Sequence, residues 1–162
     1  LTTAAKAELA SPEAMALAHR LMTTLNKAAR DCMVRYAVHA CTDVTGFGLL
    51  GHAFEMAQGS DTHLTLFPGE IDLIPEALEL ARDGILPAGM NRHYAEAAVD
   101  PGSTELAVQD MLYDPQTSGG LLIAAAPEDA DALLRELRGA VPSAQRIGVV
   151  EAYNGGPRIS LR

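Results

Sequence analysis

Tryptophan is absent, aromatic residues make up only 4% of the 162 residues, and no lysine follows Lys27. Without large rings the core must be built from Ala, Leu, Val and Ile, in a chain that is 48% hydrophobic. That length suits one domain with a real core. The two cysteines, Cys32 and Cys41, form no C-x-x-C pair and no disulfide framework. They read as buried or half-buried thiols in a reducing cytoplasm. A net charge of −9 argues against a nucleic-acid partner, which demands clustered Lys and Arg. No apolar run approaches the roughly 18 residues of a membrane span, and nothing resembles a signal peptide. His19, His39, His63 and His93 lack ligand spacing, which excludes a zinc site of the usual kind. There is no P-loop, no G-x-S-x-G and no Cys/His pairing. A complete phosphoryl-transfer site brings Lys or Arg to the phosphates, so a chain this poor in lysine looks like half of one. Leu1 in place of an initiator Met suggests a piece of something longer.

Against these absences stands residues 40–52, ACTDVTGFGLLGH. Val34, Tyr36, Val38 and Ala40 alternate as in a half-buried strand, and apolar positions from Leu49 to Ala57 recur at helical spacing. Between them Gly46, Gly48 and Gly51 let the backbone turn and approach a ligand. A strand end, a glycine turn and a helix N-terminus make a natural anion site, since the first helical amides lack partners. Asp43 beside that turn suggests Mg²⁺ held next to phosphate, because a bare carboxylate would repel phosphate. The alternative is an aspartate that caps the turn or the helix. Thr42 and Thr45 suit either phosphate binding or a structural role, and His52 either faces a ligand or packs at the helix surface. Gly46, Gly48 and Gly51 also spell the dinucleotide pattern G-x-G-x-x-G, with Glu70 about 20 residues on. That reading ranks second, because Asp43 and Thr45 interrupt the strand-to-glycine junction.

Elsewhere, Ser11-Pro12-Glu13 opens a long amphipathic helix running towards Asp31. A strand over 63–67 and a helix over 75–83 follow, then a glycine-containing loop over 85–91 whose Asn91 contacts a ligand or caps a turn. A helical turn or two is expected over 94–99. The run 114–120, DPQTSGG, is dense turn chemistry before an apolar strand over 121–126. It either lines a site or simply aims the strand. A helix from Pro127, with Ala130, Leu133, Leu134 and Leu137 inward, precedes strands over 146–153 and 158–161, read as a hairpin around Asn154-Gly155-Gly156-Pro157. This order of elements indicates an α+β domain with its sheet packed against helices. No internal repeat is present.

ACTDVTGFGLLGHAFEMA (40–57) together with DPQTSGGLLIA (114–124) closely resembles the C-terminal half of the selenophosphate synthetases (selenide, water dikinases). The loop around 84–91 and the closing IGVVEAYNGGPRISL (147–161) resemble that family too. The resemblance implies the C-terminal domain of the aminoimidazole-ribonucleotide-synthetase superfamily, a ferredoxin-like variant whose mixed sheet is packed with helices. Residues 1–12 would be a linker or helix start and 13–162 the domain, with the N-terminal catalytic half absent. It further implies conversion of ATP, selenide and water to selenophosphate, AMP and phosphate, with Mg²⁺ and usually a monovalent cation, by a homodimer. The nucleotide would lie between this domain and an N-terminal one. In that family the aspartate of TDVTGFG binds Mg²⁺ at the ATP phosphates, and here it is Asp43. Thr42, Thr45 and Gly46 match the same motif as supporting contacts to the nucleotide site. The family's reactive Cys or selenocysteine and its catalytic Lys belong to a glycine-rich segment that this chain lacks. The expectation is therefore a fragment with no catalytic residue of its own, inactive alone. A non-catalytic homologue that dimerises with or regulates a partner is the competing reading.

Overall fold

The computed structural model describes residues 1–90 and 92–162, position 93 through its backbone alone. Asn91 therefore lies outside the described residues. The chain runs α1 (Thr2–Lys6), α2 (Pro12–Thr23), α3 (Lys27–Met33), β1 (Val38–Asp43), α4 (Gly48–Gly59), β2 (Thr62–Leu66), α5 (Pro75–Arg82) and β3 (Val99–Asp100). It continues with α6 (Leu106–Tyr113), β4 (Leu121–Ala125), α7 (Pro127–Ala140), β5 (Gly148–Ala152) and β6 (Ile159–Leu161). The strands form two sheets. β1 and β4 make an antiparallel ribbon, and β3-β6-β2-β5 make a mixed four-stranded sheet. In the latter β6 runs parallel to β2 and β3, while β5 is antiparallel to β2. The class is α+β, as the order of elements indicated.

Each sheet buries its own apolar set. Leu50, Ala53 and Ala57 of α4 pack on Leu64, Leu66, Ile159 and Leu161 of the larger sheet, joined by Leu112 and Tyr113 of α6. Leu50 and Ile159 are fully inaccessible. On the ribbon, Ala29 and Cys32 of α3 meet Leu133 and Leu137 of α7 over Val38, Leu121, Ile123 and Ala125. Of the two thiols only Cys32 is buried, whereas Cys41 is exposed. Small residues in α3 and α4 let helices approach the strands closely, the packing that a chain poor in aromatics requires.

Several local expectations are corrected. The first amphipathic helix stops at Thr23, well short of Asp31. Its N-terminus is as expected, with Ser11 Oγ accepting from the Ala14 amide at 3.1 Å. At its end the Thr23 and Thr24 hydroxyls donate back to the His19 and Arg20 carbonyls, at 2.8 and 2.7 Å, and compete with continued helix. α3 then begins separately. The strand starts at Val38, and Val34 is 62% exposed just past the end of α3. α6 was not anticipated: its apolar residues follow a turn with no capping side chain to announce the helix.

The hairpin is not formed. Gly155 and Gly156, at φ +92° and +80°, do reverse the chain, but β6 inserts on the far side of β2 from β5. There its backbone is shared between β2 and β3, and Ile159 and Leu161 are buried beneath α4. Beside β5, where Val150 is half exposed, neither side chain would be covered in this way.

Candidate functional site

The two motifs read separately in the sequence converge at one end of the ribbon. β1 and β4 pair with Asp43 opposite Leu121, and the ladder continues past both strands into the loops. The Val44 amide donates to the Gly120 carbonyl, the Gly119 amide to the Val44 carbonyl, and the Gln116 amide to the Thr45 carbonyl, each at 2.9 Å. A Cβ on Gly119 would lie 2.8 Å from the Val44 carbonyl oxygen, so glycine is needed for that approach. The 114–120 run thus braces the backbone of 43–45. Within it the Gln116 amide side chain donates to Asp114 at 2.9 Å, and burial pushes the Asp114 carboxyl above the usual carboxylate range.

Gly48 supplies the matching bend before α4. Its φ is +68°, and a Cβ there would lie 2.6 Å from the Tyr113 backbone carbonyl carbon. The turn is thereby seated against α6 and the larger core. At Gly46 a Cβ would meet nothing within 4 Å, which leaves that residue open to an outside group.

Asp43 is exposed at the end of β1. Among the described residues no backbone amide or side chain hydrogen-bonds to its carboxylate, so the turn-capping alternative is not realised. It lies at a groove lined by Asn26, Lys27, Arg30, Met33, Cys41, Thr42 and Leu121. Lys27 and Arg30 are both engaged by Asp31, at 2.5 and 3.2 Å, so the groove carries paired rather than naked cations. Burial of part of its side chain, then the charge of Asp43, push the Cys41 thiol up and away from thiolate. The Thr42 hydroxyl donates to the Asp43 carbonyl at 3.2 Å.

Thr45 points elsewhere. Its hydroxyl meets His52 Nε2 at 3.1 Å, and His52 Nδ1 meets Glu55 Oε2 at 2.9 Å. The other Glu55 oxygen accepts from the Tyr94 hydroxyl at 3.0 Å, a bond that pushes the Tyr94 phenol up. The Tyr94 ring stacks on Phe47 with centroids 4.4 Å apart. His52 is accordingly the packed, hydrogen-bonded histidine of the two readings, at 8% exposure.

Glu55 escaped the sequence reading, although its i,i+3 spacing from His52 on a helix was visible. Lys27 and Arg30 could not have been placed beside Asp43 from spacing, because only the packing of α3 against the ribbon brings them there. Among the described residues no group of three or more His, Cys, Asp or Glu side chains could hold a metal. The dinucleotide reading fails on topology. The strand before the glycines has an antiparallel partner, and the next strand belongs to the other sheet, so no parallel βαβ unit forms at the turn.

A family model for the AIR synthase related protein, C-terminal domain, matches residues 2–158. The chain belongs to that family. Within it the chain is similar to a selenide, water dikinase of Treponema denticola, 43% identical over 139 residues, which cover 85% of this chain and 39% of the relative. A Clostridium botulinum relative of the same name is 42% identical over 153 residues, 93% of this chain and 44% of the relative. One from Citrifermentans bemidjiense is 44% identical over 159 residues, 97% of this chain and 46% of the relative. This AIR-synthase-related domain thus spans less than half the length of the curated relatives it matches. Among its described residues no helix is long and apolar enough to cross a membrane.

Proposed function

We propose that this chain is the C-terminal domain of a selenide, water dikinase, which converts ATP, selenide and water to selenophosphate, AMP and phosphate in the cytoplasm. The observation that carries the reading is the exposed carboxylate of Asp43, without a hydrogen-bond partner among the described residues, on a backbone braced by the 114–120 loop. A hard cation takes one or two protein carboxylates and fills its shell with phosphate oxygens and water. Asp43 fits that demand, and would hold Mg²⁺ against the ATP phosphates. Bound there, Mg²⁺ would offset phosphate charge that this acidic domain cannot neutralise alone. Thr42, Thr45 and Gly46 support the nucleotide side of the site, Gly46 by leaving open space over the backbone. The nucleophile and catalytic lysine come from an N-terminal domain, and the intact enzyme is a homodimer. The isolated chain turns over nothing.

The test is a hybrid in which residues 13–162 replace the matching segment of the Treponema denticola enzyme. Selenide-dependent AMP formation is expected from the hybrid and none from the chain alone. Asp43→Asn in the hybrid should lower the rate about 100-fold or more, the scale of several kcal/mol of lost charge stabilisation. A hybrid in which Asp43→Asn keeps the full Mg²⁺-dependent rate would sink the ligand role. Turnover by the chain alone would sink the fragment reading.

A further inference from the structure

The motif threonine does not stand alone. Thr45, His52 and Glu55 form a continuous hydroxyl–imidazole–carboxylate chain, with links of 3.1 and 2.9 Å, and Tyr94 closes its far end at 3.0 Å. The imidazole is buried between them and tilted against the Phe47 ring, with centroids 5.6 Å apart. Its two nitrogens therefore have one polar partner each.

The proton positions follow from what each group can do. An ionised carboxylate only accepts, so His52 Nδ1 carries hydrogen towards Glu55. In the neutral ring Nε2 is then a bare acceptor, and the hydrogen between it and Thr45 belongs to the hydroxyl. A hydroxyl that has spent its one hydrogen on His52 has only lone pairs left for any other partner. Tyr94 and the Phe47 ring hold the far end of this chain in place, since one glutamate serves both His52 and Tyr94.

We infer that His52 and Glu55 are positioning residues that lock the Thr45 hydroxyl as an acceptor, which leaves it no hydrogen for a phosphate oxygen. The hydroxyl's orientation stands on the geometry just described. Only the presence of a phosphate within its reach rests on the reading of the Asp43 turn as a Mg²⁺–phosphate site. A phosphate oxygen needs a donor, and Thr45 in this arrangement has none to give.

The full chain, labelled with ¹⁵N, tests this through the long-range ¹H–¹⁵N correlation pattern of the His52 ring at neutral pH. One tautomer is expected, protonated at Nδ1 and bare at Nε2. Thr45→Val, which removes the hydroxyl but keeps the side chain's shape, should shift the Nε2 resonance and leave Nδ1 protonated. Glu55→Ala should release the ring to sample both tautomers. A proton on Nε2 in the wild-type chain, whether in the other tautomer or in the charged ring, would turn the hydroxyl round and overturn the assignment. So would an Nε2 resonance unmoved by Thr45→Val. Asp43→Asn should leave the tautomer as it is. A failed Mg²⁺ reading at Asp43 is thereby distinguishable from a failed lock at Thr45.

Discussion

The ribbon of β1 and β4 and the sheet β3-β6-β2-β5 sit in one domain but are built for different ends. The sheet is covered by α4 and α6, and its central strand β6 is buried throughout. The ribbon has only two strands, and its first alternates between half-buried and exposed residues. A two-stranded unit is marginal by itself. Here α3 and α7 cover one side, and the paired loops extend its ladder beyond the strands. The candidate site lies at the end of the thinner unit, where polar groups and backbone are accessible. The larger core supplies the rigid seat, reached through Gly48 against the backbone of Tyr113. Exposure for chemistry and burial for stability are thus separated within one domain.

The largest expected effect tests which unit holds the fold. Leu50→Ala, in the larger core, should cost about 3–5 kcal/mol, and Leu133→Ala, over the ribbon, about 2–3 kcal/mol, in urea unfolding of the chain. Equal losses would break the distinction between a main core and a satellite one.

A smaller effect tests the seat between them. Gly48→Ala forces a Cβ against the Tyr113 backbone at positive φ and should cost about 2–3 kcal/mol. Gly46→Ala, two residues earlier in open space, should stay within about 0.5 kcal/mol. A costless Gly48→Ala would mean that the turn is not anchored to α6.

The smallest effect is electrostatic and local to the ribbon's loop. Burial raises the Asp114 carboxyl in the folded state above its unfolded value. The folded chain therefore binds that proton more tightly. The associated stability is fully present below the unfolded pKa and is lost as pH rises through the folded one. Asp114→Asn keeps an acceptor for Gln116 and removes the buried charge. It should raise stability at neutral pH by less than about 1 kcal/mol and flatten the pH dependence just above the ordinary carboxylate range. A variant less stable than wild type at neutral pH would show that the ionised group has partners that outweigh its burial.

Local signals made much of the architecture legible. Ser11-Pro12 began a helix and Pro127 began another, because caps and proline act within a few residues, while the alternation from Val34 met only the first residues of β1. The G-x-G-x-x-G spacing misled for the same reason. It describes a glycine turn and is silent about the strand's partner. The 23–27 break and the start of α6 were missed where threonine hydroxyls or an uncapped turn set the boundary.

What the sequence determined by itself is the α+β class, the helix starts, the position of Asp43 before a glycine turn, and the family to which the motifs belong. Each follows from residues near one another in the chain. Only the tertiary structure decided that β6 lies inside the sheet instead of beside β5. It likewise decided that the 114–120 loop braces 43–45, and that Lys27 and Arg30 border Asp43. Those are contacts between distant segments, selected by which arrangement buries Ile159, Leu161 and the ribbon's apolar face from water, and no local pattern encodes that choice.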